Sequence, residues 1–215
     1  MSRPGAPEKV SIGISRRYRI FRDIVVSLAG IILGLEIHGA HRVPRTGPLI
    51  VASNHRRYLD PVYVSMAVPR RLQWMGKKEL FVYPFTKFFY LIGTFPVDRQ
   101  GGGRAALRAA LKYLDLGAAL GIFPEGTRRK RTLAAESEAP KSGAIMLAAR
   151  SGAPVLPVHV GPLPNPLQRL RGGRLEIHIG EPRTVDAAGK GSYTAAAERL
   201  VADIYALPAD TGESR

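Results

Sequence analysis

The chain contains no cysteine, and this absence excludes several kinds of chemistry at once. Disulfide bonds, thiolate metal sites and an acyl intermediate on a cysteine all require the missing thiol. Acidic residues are also scarce, because 17 Asp and Glu stand against 32 Lys and Arg and leave a formal net charge of +15. An excess of this size indicates a polyanionic partner. Composition alone does not distinguish nucleic acid from an anionic membrane surface.

The sequence also lacks an apolar run long enough to cross a bilayer. The apolar stretch Ile24–Leu35 falls short of the roughly 20 residues that a transmembrane helix requires. Basic and aromatic residues precede it, among them Arg16, Arg17, Tyr18 and Phe21. A short apolar helix with such a flank is typical of an element in the headgroup region of a membrane, and a buried core helix is the alternative. No small-residue cleavage site closes the stretch, so we expect no secretory signal.

What the sequence does contain is an alternation of strand and helix patterns. Hydrophobic residues make up 45% and charged residues 23% of its 215 residues, as in an ordinary globular domain. Strands are predicted over residues 35–39, 49–53, 71–76, 93–97, 119–123, 154–160 and 175–179. Helices are predicted over residues 61–68, 83–92, 101–116, 142–151 and 192–207. This order predicts an α/β fold with a mixed, largely parallel central sheet of about seven strands flanked by helices.

The same patterns divide the chain into four parts. Residues 1–9 are polar and rich in proline and glycine, and we expect a disordered tail there. Residues 10–35 are expected to form an N-terminal amphipathic helix that associates with the membrane interface. Residues 36–207 then form the α/β domain, and residues 208–215 a second disordered tail.

The segment Ser53–Asp60 is the centre of the candidate site. His55 leaves a buried strand, and Asp60 follows five residues later at the first turn of a predicted helix. A neutral imidazole can accept a proton near neutral pH, and a carboxylate beside it fixes its tautomer and stabilises the imidazolium. Because the sequence has no Gly-x-Ser-x-Gly elbow, the proton is expected to come from a substrate hydroxyl. Alone, such a pair also arises by chance.

Two further segments combine a turn with an arginine at the end of a predicted strand. They are Gly93–Arg99 and Gly121–Arg128. In open α/β sheets ligands bind outside the carboxyl ends of the strands. Gly126 allows close approach of the backbone, and the planar guanidinium of Arg128 suits a phosphate. Taken singly, each segment is also compatible with a surface loop that carries an ion pair.

Together these segments resemble a known family, the glycerolipid acyltransferases. Four blocks occur in the family's order and approximate spacing, namely Asn54-His55 with Asp60, Gly93–Arg99, Phe123–Arg128 and Val155–Val158. Two further stretches have family-like sequences, Lys77–Leu80 and Lys141–Ala144. The resemblance extends from about Ile37 to Ile179. Within the family, the sequence most resembles the 1-acyl-sn-glycerol-3-phosphate acyltransferase type. The four ordered blocks are specific together, although no single block is.

The resemblance implies a membrane-associated enzyme that transfers a fatty acyl group from acyl-CoA or acyl carrier protein to the free hydroxyl of a lysophospholipid. The acceptor it implies is 1-acyl-sn-glycerol-3-phosphate, which would give phosphatidic acid. His55 would be the general base and Asp60 its orienting partner. The implied substrate-binding residues are Asn54, Arg99, Glu125, Gly126, Thr127, Arg128 and Lys141. We expect no cofactor beyond the acyl donor, no metal, no nucleic-acid partner, and a peripheral or monotopic position on the cytoplasmic side of the cell membrane.

Two departures from the family pattern bear on the acceptor. Arg57 stands where the family has a small hydroxyl residue, and the polar segment Thr132–Pro140 replaces a more apolar lead-in. An acceptor with extra negative charge or a bulkier head group would fit the first change. Another lipid or glycolipid acceptor is therefore an alternative. Further alternatives, independent of these departures, are a thioesterase, a ping-pong route through Ser53 or Ser142, and a basic binding module without catalysis.

The remaining histidines are expected to serve packing or the surface. They are His38, His41, His159 and His178, and no metal-ligand spacing connects them in the sequence. Trp74 is expected to lie in the core or in the wall of an acyl-chain groove, and its sequence context does not decide between the two.

Overall fold

A computed structural model describes residues 16–82, 84–97, 103–126, 140–185 and 190–210. Its strands are β1 (Leu35–His38), β2 (Leu49–Ser53), β3 (Leu72–Lys77), β4 (Thr94–Val97), β5 (Ala119–Ile122), β6 (Val155–Val160) and β7 (Leu175–Ile179). Its helices are α1 (Arg16–Leu33), α2 (Asp60–Ala67), α3 (Thr86–Leu91), α4 (Arg104–Asp115), α5 (Gly143–Ser151), α6 (Pro166–Leu170) and α7 (Lys190–Asp210). Short 3₁₀ turns cover Ala40–Arg42 and Lys78–Leu80.

The strands of the described ranges form one seven-stranded sheet in the order β1-β7-β6-β2-β5-β3-β4. Neighbouring strands are parallel except for β6 and β7, which pair antiparallel. The predicted mixed and largely parallel sheet is thereby confirmed. Because β2, β3, β4, β5 and β6 run in one direction, their carboxyl ends meet at one edge, where the candidate site segments follow β2, β4 and β5.

The central strand β2 is buried over its whole length because both faces of the sheet are covered. On one face, Leu49 and Val51 pack in a cluster with residues of α2, β6 and β7. On the other face, Ile50 and Ala52 pack in a cluster with residues of α4, α5 and α7. The apolar run that predicted this strand is thus explained by burial on both sides.

Helix α1 packs on the first of these clusters through Ala29, Val25 and Val26. Its carboxyl end is held by Arg169 of α6, which donates from Nη2 to the carbonyl oxygen of Ile31 at 3.0 Å. Five large apolar side chains of α1 are exposed, namely Ile20, Ile24, Leu28, Ile31 and Ile32. Across the described ranges, no helix combines the length and the apolar character that crossing a bilayer needs.

Most predicted elements are present within a few residues of their expected ends, and α6 is the helix that the sequence patterns missed. It is short, and a capping box starts it: the Asn165 side chain accepts from the Gln168 backbone N–H, and the Gln168 side chain accepts from that of Asn165. The expected tail at 1–9, the start of the N-terminal segment at 10–15, and the segments 98–102 and 127–139 lie outside the described residues. Of the tail expected at 208–215, residues 208–210 form the end of α7 instead, and residues 211–215 lie outside the described residues.

Arg70 is buried at the end of the sheet opposite the site and binds four backbone carbonyl groups. Its guanidinium donates to the carbonyl oxygens of Pro44, Thr46, Gly47 and Gly117. Only 6% of the residue is exposed, and burial lowers the pKa of Arg70 from its usual value. The side chain therefore connects the loop before β2 to the turn before β5.

Replacing Arg70 with methionine is expected to lower the free energy of unfolding by about 3 kcal/mol, because buried carbonyl groups lose their donor. Urea unfolding followed by circular dichroism measures the change. Arg150→Met, at an exposed position of α5, is the matched control and should change stability by less than about 0.5 kcal/mol. Equal stability of the two variants would contradict a structural role for Arg70.

Candidate active site

The loop between β2 and α2 brings His55 and Asp60 into contact. His55 Nδ1 lies 3.2 Å from Asp60 Oδ2, and the same oxygen accepts 2.6 Å hydrogen bonds from the backbone N–H groups of Arg56 and Arg57. The side chain of Asp60 is 1% exposed, whereas that of His55 is 17% exposed. The loop thus folds around the carboxylate and leaves the imidazole at the surface of the site.

This geometry determines which nitrogen of His55 can act as a base. Asp60 is the first residue of α2, where the positive end of the helix dipole favours a carboxylate. As a carboxylate it can only accept, so Nδ1 of His55 carries the proton and donates it to Asp60. Nε2 then carries the lone pair, and this is the atom that can take a proton from a hydroxyl group.

The imidazole of His55 rests on an aromatic stack. Its ring lies 4.0 Å from the ring of Phe123 with an angle of 14° between the planes, and Phe123 stacks in turn on Trp74 at 5.0 Å. Trp74 is buried and donates a hydrogen bond from Nε1 to Ser65 Oγ of α2. Of the two locations expected for it, the structure therefore shows the core. Gly121 of β5 leaves the room for this indole, because a Cβ there would lie 2.6 Å from its ring.

Asn54 attaches the loop to the end of β6. Its Nδ2 donates to the carbonyl oxygen of Val160 at 3.0 Å, and its Oδ1 accepts from the N–H of Val160 at 2.7 Å. The residue is 1% exposed, and its side-chain amide faces protein backbone. The substrate-binding role that the family resemblance implies for Asn54 stays a prediction. Arg57 adds a 3.3 Å hydrogen bond to the carbonyl oxygen of Gly161. Both side chains therefore position the loop that carries His55.

The turn after β5 carries Glu125 and Gly126. Glu125 is 6% exposed, and its Oε1 accepts a 2.7 Å hydrogen bond from the hydroxyl group of Tyr205 of α7. Gly126 has a φ of 72°, in the left-handed region that favours glycine. Lys141 lies directly over it, because a Cβ on Gly126 would be 2.5 Å from Lys141 Cδ. The structure therefore brings Glu125, Gly126 and Lys141 together at the carboxyl edge of the sheet.

Three of the site residues implied by the resemblance fall in segments outside the described residues. They are Arg99, Thr127 and Arg128. Val97, the last residue of β4, precedes the first of these segments, and Gly126, in the turn after β5, precedes the second.

Comparison with known proteins agrees with this arrangement. A family model described as acyltransferase matches residues 34–161, which include β1, the His55 loop, the Glu125 turn and β6. The chain belongs to the acyltransferase family. The sequence resemblance to O-acyltransferases is thereby confirmed.

Individual relatives of this acyltransferase are themselves acyltransferases. It is 29% identical over 161 residues to a 1-acyl-sn-glycerol-3-phosphate acyltransferase of Bacillus subtilis, covering 74% of this chain and 77% of the other. It is 32% identical over 129 residues to the mouse (Mus musculus) 1-acyl-sn-glycerol-3-phosphate acyltransferase alpha, covering 58% of this chain and 44% of the other. The chain thus spans most of the bacterial enzyme and less than half of the mouse enzyme.

A solved structure shows that the fold is shared. The crystal structure of the 1-acyl-sn-glycerophosphate (LPA) acyltransferase PlsC from Thermotoga maritima matches with a TM-score of 0.67 at 20% sequence identity. The match covers 92% of this chain and 81% of that chain. It therefore extends beyond residues 34–161 and includes most of the remaining elements of the acyltransferase.

Three side chains support the candidate site in ways that the sequence patterns did not predict. Phe123 and Trp74 support the imidazole, Tyr205 binds Glu125, and all come from elements far from His55 in the chain. His159 packs near Tyr205, with ring centroids 5.7 Å apart. Burial, followed by the nearby His178 and Arg56, lowers the pKa of His159 to about 4, so this imidazole is neutral at neutral pH.

Replacing Phe123 with leucine is expected to lower kcat of the acyltransferase about tenfold, because the imidazole loses its aromatic support and its orientation becomes less restricted. Steady-state kinetics at saturating substrates measures the change. Tyr113→Leu is the matched control, since its ring packs on Phe95 in the core beneath α4 and not on His55. If both variants kept the wild-type kcat, the stack would have no part in positioning His55.

Proposed function

We propose that this acyltransferase moves a fatty acyl group from acyl-CoA or acyl carrier protein to the free hydroxyl of a lysophospholipid. The acceptor we favour is 1-acyl-sn-glycerol-3-phosphate, with phosphatidic acid as the product. The observation that carries the proposal is the 3.2 Å contact between His55 Nδ1 and Asp60 Oδ2, which directs the basic Nε2 away from the carboxylate. The relatives from Bacillus subtilis and mouse carry the name of this activity.

His55 acts as a general base in direct transfer. Its Nε2 takes the proton of the acceptor hydroxyl while the hydroxyl oxygen attacks the carbonyl carbon of the thioester. Collapse of the tetrahedral intermediate breaks the carbon–sulfur bond, and the leaving thiolate takes the proton back from the imidazolium. Asp60 stabilises the imidazolium between these steps and holds the ring plane, with Phe123 beneath it. The thioester supplies the acyl group in activated form, so the reaction balances without another reactant.

The turn that follows β5 is the proposed binding place for the acceptor phosphate. Gly126 lets the backbone approach the ligand closely, and Lys141 lies over this glycine. In the sequence, Arg99 follows β4 and Arg128 follows β5. Their guanidinium groups suit a phosphate. The proposal assigns a hydroxyl group of the glycerol to Glu125, which already accepts a hydrogen bond from Tyr205. Binding energy from the phosphate then orients the hydroxyl toward His55.

The exposed apolar side chains of α1 support attachment to a membrane surface. One side of the helix packs on the domain, while Ile24, Leu28 and Ile31 point outward. An apolar helix surface on a protein with a net charge of +15 fits the interface of an anionic membrane. We place the enzyme peripherally on the cytoplasmic leaflet. Flotation with anionic and with neutral vesicles tests this, and equal recovery from both would contradict it.

An acceptor panel tests the proposed reaction. Thiol release from acyl-CoA is measured with 1-acyl-sn-glycerol-3-phosphate, with 1-acyl-sn-glycerol-3-phosphocholine, with monoacylglycerol and without acceptor. The proposal expects rapid release only with the phosphate monoester and formation of the diacyl product. Equal release without acceptor would identify a thioesterase instead, and preference for a different acceptor would overturn the head-group assignment.

Replacing Arg128 with alanine is expected to raise KM for the lysophosphatidate acceptor about tenfold or more, because a charge-assisted contact to the phosphate is lost. The KM for acyl-CoA should change little. Arg150→Ala, which removes an exposed arginine of α5, controls for the general loss of positive charge. An unchanged acceptor KM in Arg128→Ala would remove this residue from the phosphate site.

A further inference from the structure

Three of the five histidines form one row across neighbouring strands. His38 of β1 pairs with His178 of β7, and His178 pairs with His159 of β6. Paired residues of adjacent strands project to the same face of a sheet, and so do residues two positions apart on one strand. Glu36 and Glu176 therefore share this face with His38 and His178. The sequence does not reveal the cluster, because β1 and β7 come from opposite ends of the domain.

The side chains of this cluster lie close together. The rings of His38 and His178 stack with centroids 4.6 Å apart, and His178 Nε2 lies 3.2 Å from Glu176 Oε2. One ligand atom each from His38, Glu176 and His178 lie within 4.8 Å of one another. Two ligands of a tetrahedral Zn²⁺ ion are about 3.3 Å apart. The Glu176 and His178 atoms thus already have the spacing of two ligands of one ion, and a ligand atom of His38 lies within 4.8 Å of both.

We propose that His38, Glu176 and His178 bind a transition-metal dication of the Zn²⁺ class. Two imidazoles and one carboxylate are a donor set that suits Zn²⁺, whereas Mg²⁺ and Ca²⁺ prefer ligands that are all oxygen. Three protein ligands leave the fourth tetrahedral position to water. The site is formed by β1 and β7 and includes no residue of the acyl-transfer site.

The charges around the cluster favour a cation between the strands. Glu36 of β1 is paired with Glu176 of β7, and like charges directly opposite each other destabilise a strand pair. Arg174 forms an ion pair with Glu36, with Nη1 2.7 Å from Oε2, so Glu36 already has a cationic partner. Glu176 is the carboxylate next to His178. A dication held there supplies a counter-charge to Glu176.

The exposure of the three ligands gives the ion a route from solvent. The His178 side chain is 5% exposed, whereas those of His38 and Glu176 are 32% and 51% exposed. A buried imidazole supplies one preformed ligand, and two more accessible side chains close over the ion. Because His38 lies on β1, which pairs only with β7 among the described strands, the bound metal joins this edge strand to the sheet.

Titration of the full-length, tag-free and chelator-treated protein with Zn²⁺ alone tests the proposal. Calorimetry is expected to show one tight site per chain, and saturation is expected to raise the melting temperature. His38→Gln and Glu176→Gln should each weaken this site at least tenfold. Both side chains are partly exposed, so these variants are expected to fold. His41→Gln, an exposed histidine in the turn after β1, is the matched control and should bind as the wild type does.

Substitution with Co²⁺ provides a second measurement. The wild type should show the visible absorption of tetrahedral Co²⁺ with nitrogen and oxygen ligands, and His38→Gln should lose it. The absence of stoichiometric Zn²⁺ binding would overturn the proposal. So would equal affinity in His38→Gln and His41→Gln, since that result indicates adventitious binding to surface histidines. Neither result bears on the acyl-transfer proposal, which the acceptor panel tests separately.

Discussion

Replacing His55 with alanine is expected to lower kcat about 10³-fold, because the acceptor hydroxyl loses the group that removes its proton. The geometry restricts this role to one atom: Nδ1 is bound to Asp60, so Nε2 faces the site. The loss should appear in kcat with little change in acceptor KM, since the proposed phosphate contacts remain. Initial rates of thiol release with saturating acyl-CoA and lysophosphatidate measure it.

Two controls make the His55→Ala result specific. The far-ultraviolet circular dichroism spectrum and the melting temperature should stay close to those of the wild type, because the side chain is at the surface of the site and bears no other hydrogen bond within the described residues. His41→Ala removes an exposed histidine and should keep full activity. A His55→Ala variant that retained a tenth or more of the wild-type kcat would remove His55 from the proposed mechanism.

Replacing Asp60 with asparagine is expected to lower kcat by about 10² to 10³-fold, because the imidazolium that forms during transfer loses its counter-charge. The variant should also be less stable by about 1 to 2 kcal/mol. Asp60 Oδ2 accepts three hydrogen bonds, two of them from the backbone of Arg56 and Arg57, and charge-assisted bonds of this kind become weaker when the acceptor is neutral. Kinetics and urea unfolding of one preparation measure both effects.

The double variant separates the catalytic effect of Asp60 from its structural effect. If Asp60 acts on catalysis through His55, then His55→Ala with Asp60→Asn should be no slower than His55→Ala alone, because residues that act as a unit are not additive. The loss of stability should persist in the double variant, since the backbone donors of Arg56 and Arg57 remain. Multiplication of the two kinetic losses would show that Asp60 acts on catalysis independently of His55.

The contact between His55 and Asp60 could be predicted because it is local in the chain. His55 leaves a strand and Asp60 begins the next helix, so the loop between them is too short to separate the two side chains widely. The strands were predictable for a similar reason: continuous apolar runs such as that of β2 mark positions that are buried on both faces. In each case the pattern lies within about ten residues and reflects short-range geometry.

The support beneath the site could not be predicted in this way. Phe123 lies under His55 because β5 is the neighbour of β2, and Trp74 lies under Phe123 because β3 is the neighbour of β5. The contact made by Asn54 could not be predicted for the same reason. Its amide complements the backbone of Val160, a residue 106 positions away, and only the pairing of β2 with β6 brings them together.

The sequence by itself determined the family, the pattern of strands and helices, and the pairing of His55 with Asp60. The family followed from the resemblance of four ordered motif blocks. Hydrophobic periodicity and short turns sufficed for the other two, since they depend on interactions between residues that are close in the chain. The strand order, the aromatic stack, the Tyr205 contact with Glu125 and the histidine row were decided only by the tertiary structure. Periodicity indicates which face of a strand is buried. Which side chains of other elements contact that strand depends on which distant strands and helices pack against it.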